Sequence, residues 1–268
     1  MHRRCVRRVA ATSSRPAANS RARPSGSRRR IARHSPVPEL TTIGFDADDT
    51  LWHHEKYFVA TKEQFVTLLS DHADASRVGQ QLHDTEIANV LHYGFGVKSF
   101  TLSMVETAIA VTSGKVPAPV IASILELGRA MLVHPVDPFP GVRETLEALR
   151  PHYKLLVVTR GDLFDQERKL AASGLLGYFD EIEIVSGKTR LVYDRIFTRH
   201  GNGPGRAMMI GNSMRADVVP AIEAGAYGVH IPSEHVWSMD LDDDPRDAAR
   251  FKRLESISAV VPLVTEIG

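Results

Sequence analysis

The sequence predicts an α/β protein: a doubly wound parallel sheet, interrupted after its first strand by a wholly helical insertion. Three observations carry this prediction. A short apolar run at residues 41–45 ends abruptly in Asp46-Ala47-Asp48-Asp49-Thr50. Residues 53–137 show only helical periodicity. From residue 138 onward, short apolar runs alternate with amphipathic stretches, and strands separated by helices pair in parallel through crossover connections. In such sheets ligands bind beyond the carboxyl ends of the strands.

Taken in order, residues 1–38 form a tail, residues 39–52 and 138–268 hold the sheet, and residues 53–137 form the insertion. Four helices are expected in the insertion. Phe65, Leu68 and Leu69 mark the first, Val78, Leu82 and Ile87 the second, and Leu102, Val105 and Ile109 the third. Val120, Ile124 and Leu127 mark the fourth, with Pro119 near its start. Between the second and third helices, residues 92–98 read as a glycine-punctuated connector whose aromatics pack on the helices, with a loop that faces a substrate as the alternative. The proline-rich residues 134–141 form a break. Beyond it a helix is marked by Val142, Leu146 and Leu149, and a buried strand over 154–158 ends at Thr159. A helix over 163–173 closes at Gly174. Strand 181–185 precedes a helix over 191–199. Strand 207–210 precedes a helix over 214–224 ended by Gly225, and strand 227–231 follows.

Net charge is +1, but this average hides an asymmetry. Eleven arginines and no acid lie in residues 1–38, so the remaining residues hold 22 of the 33 basic residues against 32 acids. The acidic body offers no face for nucleic acid, whose binding is unlikely outside the basic tail. The tail is too poor in apolar residues to bury a core and is expected to be disordered, a non-functional extension. A targeting segment and a basic arm for anionic partners are the alternatives. The one cysteine, Cys5, lies in the tail, so the folded part carries no disulfide, which fits a cytoplasmic protein. An organellar address in the tail stays open. No apolar run reaches the roughly 20 residues that span a bilayer, so no membrane partner is expected.

The strand ends carry the functional signal. In an extended chain, residues i and i+2 share a face, which places Asp46 and Asp48 together. Close carboxylates suit a divalent metal, with one free to act as a nucleophile, or they mark an Asp-rich turn in which Asp49 or Thr50 starts the next helix. Thr159, followed by Arg160, ends the second strand at a helix N-terminus, an anion cradle or a simple helix start. Lys188 follows the third strand and is placed to neutralise negative charge, or is merely solvated. Asn212 and Asp217 follow the fourth, as oxygen ligands or as helix-capping residues. Each element alone is ambiguous, but four successive strands ending in residues useful for phosphoryl transfer form a pattern.

That pattern resembles the haloacid dehalogenase-like hydrolase superfamily over about residues 39–268. The D-x-D-x-T motif is Asp46-Ala47-Asp48-Asp49-Thr50. The strand-terminal threonine is Thr159, the basic residue is Lys188, and the fourth motif is Gly211-Asn212-Ser213 with Asp217. Residues 53–137 resemble the family's helical cap on a Rossmann-like core. The resemblance implies hydrolysis of a phosphate monoester of a small metabolite, with Mg²⁺ as cofactor. Asp46 would attack phosphorus, forming an aspartyl-phosphate. Asp48 would act as general acid, then base. Thr159, Arg160 and Lys188 would hold the phosphoryl group, and Asp46, Asp48 through its carbonyl, Asn212 and Asp217 the metal. A phosphomutase and a non-catalytic binding or regulatory protein are the alternatives. Asn212 departs from the usual aspartate, and Asp49 from the frequent glycine; Asp49 is expected to serve a turn or helix start. Asp48 favours a phosphate ester, since members that cleave carbon–halogen or carbon–phosphorus bonds lack that acid. His53, His54, Tyr93, Lys98 and Phe100 are candidate substrate contacts from the insertion.

Overall fold

The structure is a computed structural model that describes residues 40–243, 245 and 249–267. The tail and its cysteine therefore lie outside the described residues. Six strands form one parallel sheet in the order β3-β2-β1-β4-β5-β6. They are β1 (Thr42–Phe45), β2 (Lys154–Arg160), β3 (Glu181–Val185), β4 (Ala207–Gly211), β5 (Tyr227–His230) and β6 (Phe251–Arg253). Central β1 pairs with β2 on one side and β4 on the other, so Phe45 lies opposite both Val157 and Ile210. The chain winds outward from β1 through β2 to β3, then returns across β1 to build β4 to β6. The gap beyond Phe45, between those two directions, is where an open α/β sheet leaves its binding crevice.

Both faces of the central strands are buried, which explains their nearly continuous apolar composition. Ile43, Phe45, Val157, Met208 and Ile210 join one core with helices α5 (Val142–Leu149) and α9 (Val260–Ile267). Leu156, Val158 and Met209 join another with α7 (Arg190–His200) on the opposite face. Helix α6 (Leu163–Ala172) starts where the Asp162 carboxylate accepts from Asp165 N, and α7 starts in the same way at Thr189.

Four helices fill the segment between β1 and α5: α1 (Glu55–Leu68), α2 (Ala75–Tyr93), α3 (Val97–Val111) and α4 (Ala118–Leu132). They share a separate apolar cluster that includes Phe58, Phe65, Leu82, Phe100, Met104 and Ile124. Two expected faces are corrected. In α3 the buried side is Val97, Phe100, Met104, Ala108 and Val111, whereas Leu102 and Ile109 are exposed. The buried side also carries Ser99, Ser103 and Thr107, so apolar periodicity did not select it. In α2, Ile87 is exposed and Glu86 and Asn89 are buried instead.

After β4 the chain does not form one uniform helix over 214–224. Residues Met214–Val218 make a π turn that leads into the short α8 (Val219–Ala224), closed by left-handed Gly225. Pro220 cannot donate to the Ala216 carbonyl four residues earlier, and the Tyr193 hydroxyl donates to it instead at 3.0 Å. Strand β6 and helix α9 complete the fold beyond the expected elements. Among the described residues, no helix is long and apolar enough to cross a membrane.

Candidate active site

The ends of β1, β2, β3 and β4 bring Asp46, Thr159, Lys188, Asn212 and Asp217 to one cavity, together with Asp48 and Arg160. Main-chain pairing continues past β1 to Asp46, whose N–H donates to the Ile210 carbonyl at 2.8 Å. That pairing anchors the carboxylate beside β4. Lys188 forms the centre of the site: its ammonium donates to Asp46 Oδ1 and, at 2.6 Å, to Asp217 Oδ1. All three side chains are buried.

Two buried carboxylates share one buried ammonium, so negative charge exceeds positive. Burial pushes the Asp46 carboxyl up to about 7; Asp217 and Asp48 add to this and Lys188 offsets it. Burial would pull Lys188 down, but Asp217 and Asp46 outweigh it and hold the ammonium above its usual value.

Asp217 is fixed from every side. Its Oδ2 accepts from Ser213 N at 3.0 Å, and the Tyr193 hydroxyl approaches Oδ1 at 3.4 Å. Gly211 makes this position possible, because a Cβ there would lie 2.2 Å from Asp217 Oδ2. On the other side of Asp46, the Thr50 hydroxyl lies 3.2 Å from Asp46 Oδ2 and 3.5 Å from Asn212 Oδ1. Two oxygens of different strands thus converge on a single hydroxyl.

Asp48 is surrounded by donors that sequence reasoning missed. Lys169 donates to both of its oxygens at 2.7 Å, Trp52 Nε1 to Oδ1 at 2.7 Å, and Gln166 Nε2 to Oδ2 at 2.9 Å. Burial would raise its carboxyl, yet His54, Lys169 and Gln166 outweigh burial and hold it well below the usual range. His54 is itself pulled down to about 4 by burial and is neutral at pH 7, so at that pH Lys169 carries the effect. The Gln166 amide also donates to Thr159 Oγ1 at 3.0 Å and to the Arg160 carbonyl at 2.8 Å, tying the end of β2 to Asp48. The only sequence signal for Gln166 and Lys169 is a polar stripe through Asp162, Asp165, Gln166 and Lys169 at helical spacing. Such a stripe ordinarily marks a solvent face.

Asp49 adopts a left-handed backbone (φ 57°) and accepts from His54 N at 2.9 Å and Glu55 N at 2.8 Å. It starts α1, and burial raises its carboxyl to about 6 while those two N–H groups oppose the shift. Arg160 ion-pairs with Asp240 and lies 4.2 Å from the Phe95 ring centre. Phe95 thus faces the cavity, and the expectation that aromatics of residues 92–98 only pack on the helices is corrected for it. Only residues 94–96 lie outside α2 and α3 there. Of the other contacts expected from the helices, His54 and Phe100 line the cavity. The rest are turned elsewhere: Tyr93 bonds Glu106, Lys98 pairs with Asp162, and His53 packs at a tilt against Phe139.

This arrangement, a parallel sheet with an acid–lysine–acid centre at its switch point and a helical segment after the first strand, defines the class. The chain matches the haloacid dehalogenase-like hydrolase family over residues 40–225 and belongs to it. A haloacid dehalogenase-like family hydrolase from Xanthomonas campestris is 37% identical, with a TM-score of 0.76, covering 86% of this chain and 98% of that one. A glyceraldehyde 3-phosphate phosphatase from Methanothermobacter thermautotrophicus is 23% identical over 207 residues, 73% of this chain and 87% of that protein. The pyrimidine 5'-nucleotidase YjjG of Escherichia coli is 28% identical over 104 residues, 37% of this chain and 46% of that protein. An L-2-haloacid dehalogenase from Xanthobacter autotrophicus shares the fold at 14% identity and a TM-score of 0.59, covering 85% of this chain and all of that one.

Proposed function

We propose that this protein hydrolyses phosphate monoesters of small metabolites through an aspartyl-phosphate on Asp46. The observation that carries the reading is the buried Lys188 between Asp46 and Asp217, with the β2-terminal Thr159 lining the same cavity. Lys188 holds Asp46 near the cavity as a carboxylate and offsets its repulsion of an incoming phosphate dianion. Asp46 attacks phosphorus, the ester bond breaks, and the alkoxide leaves with a proton that Asp48 relays from the Lys169 ammonium donating to both of its oxygens. Water, losing a proton to Asp48, then hydrolyses the acyl phosphate. Thr159 and Arg160 stand where phosphoryl oxygens would be held, and Arg160 is fixed there by Asp240 and Phe95.

An acid at position 48 favours an ester over a carbon–halogen bond, because an alkoxide needs a proton and a halide does not. The two curated relatives above carry phosphatase and nucleotidase names, which supports the same choice.

The donor set fits Mg²⁺. Among the described residues no three His, Cys, Asp or Glu side chains converge as a ready-made metal site. Asn212 instead offers a neutral amide oxygen, and it meets Asp46 Oδ2 at the Thr50 hydroxyl, a pair of hard oxygens suited to this ion. Asp46, Asn212 and the Asp48 carbonyl would hold Mg²⁺. Asp217, whose oxygens are engaged by Lys188 and Ser213, would orient that group. The ion would supply charge neutralisation at the phosphoryl oxygens. The test is p-nitrophenyl phosphate hydrolysis with and without EDTA. The expected result is turnover lost with EDTA and restored by Mg²⁺; no turnover in Mg²⁺ would refute the reading.

A further inference from the structure

The same cavity extends from Asp46 into the helical segment, where its wall changes character. Phe58 and Phe100 pack at a tilt with ring centres 5.0 Å apart, as an apolar wall. Beside them, Glu55, Glu86 and Ser99 also line the cavity. Glu86 is buried and engaged, paired with Lys62 at 3.2 Å. Glu55 makes no side-chain hydrogen bond or ion pair among the described residues. Ser99 is only 6% exposed, yet its hydroxyl has no hydrogen-bond partner among the described residues either. Glu55 is half-buried and both side chains line the cavity, so their oxygens stay available to a molecule bound there. Both are hydrogen-bond acceptors in the cavity that Phe58 and Phe100 also line, and aromatic faces attract cations, as the Lys62 ammonium 5.7 Å from the Phe100 ring centre illustrates.

We infer that the leaving group of the substrate carries a protonated amine, received by Glu55 with the Ser99 hydroxyl and bounded by Phe58 and Phe100. This rests on the phosphatase reading and deepens it: the phosphoryl group would lie at Asp46 and the ammonium at Glu55, within one acidic cavity. A carboxylate-bearing leaving group is disfavoured there, because Glu55 and Glu86 repel it and the nearby Lys62 is engaged. Small amino-alcohol phosphates are the substrate class.

The test uses the full chain with Mg²⁺ and two-carbon substrates that differ at one end: O-phosphoethanolamine against phosphoglycolate, with glycerol 3-phosphate as the hydroxyl-bearing comparison. The amine is expected to exceed both in kcat/KM by on the order of 10- to 100-fold, the scale of one hydrogen bond to a charged group. Glu55→Gln should collapse the amine-to-hydroxyl ratio toward unity, and Glu55→Asp should restore part of it. Thermal unfolding of each variant separates this from loss of fold, and the wild-type ranking stands without any variant. Equal or better turnover of phosphoglycolate or glycerol 3-phosphate, or an unchanged ratio in Glu55→Gln, overturns the inference while leaving phosphatase activity intact. No p-nitrophenyl phosphate turnover in the wild type would overturn the underlying reading, and this inference with it.

Discussion

Replacing Lys188 by methionine keeps most of the side-chain volume and deletes one charge. In the native site that charge neutralises Asp46 and Asp217, which are 6% and 0% exposed. Removing one partner of a buried ion pair leaves an uncompensated charge and costs about 3–5 kcal/mol. For a folded body of this size, each kcal/mol lowers the melting temperature by roughly 2–4 °C, so a drop of roughly 6–20 °C is expected. The loss should depend on pH. The Asp46 carboxyl, already raised to about 7 from 3.8, gains stability from its proton below that range and loses it as pH rises. Without Lys188 its pKa rises further, so protonation relieves the variant under acid and not under alkali. Melting followed by circular dichroism at about pH 5 and about pH 8 should show the larger deficit at the higher pH. A deficit equal at both, or largest at the lower pH, would refute the assignment of Lys188 as the counter-charge.

Three further outcomes follow from the same geometry. Gly211→Ala would place a Cβ 2.2 Å from Asp217 Oδ2, and the forced shift should cost about 1–3 kcal/mol in a denaturant titration and lower kcat. Lys169→Met removes the cation from both oxygens of Asp48, whose depressed carboxyl now stabilises the fold above its unfolded pKa and loses that contribution as pH falls through the folded one. The variant should therefore lose more stability at neutral pH than in strong acid, and the acid limb of its pH–rate profile should move upward. Phe95→Ala should free Arg160 from its aromatic partner and raise KM for p-nitrophenyl phosphate more than it lowers kcat.

The sheet was legible because each central strand is a short run buried on both faces, and such runs stand out between amphipathic helices. The site residues at the strand ends followed from that placement: four ambiguous side chains acquire meaning once the topology brings them to one crevice. What escaped notice did so for physical reasons. Lys169 and Gln166 lie on a polar stripe of α6 that looks like a solvent face, and only the tertiary fold turns it toward Asp48. The buried face of α3 was hidden because Ser99, Ser103 and Thr107 interrupt its apolar residues. The π turn depends on Pro220 and on a tyrosine 23 residues earlier than Ala216, a pairing no local pattern records. Strand β6, Phe251-Lys252-Arg253, has too few apolar residues to signal a strand and forms by pairing with β5.

The central claim is that Asp46 becomes phosphorylated, and trapping the phosphoenzyme tests it most directly. The full chain, mixed with Mg²⁺ and a turned-over phosphate ester and then quenched in acid, is digested and mapped by mass spectrometry. The account predicts phosphate on the peptide containing Asp46, labile to base, and absent in Asp46→Asn together with turnover. Turnover that survives in Asp46→Asn, or phosphate trapped on another residue while Asp46 stays unmodified, would contradict it.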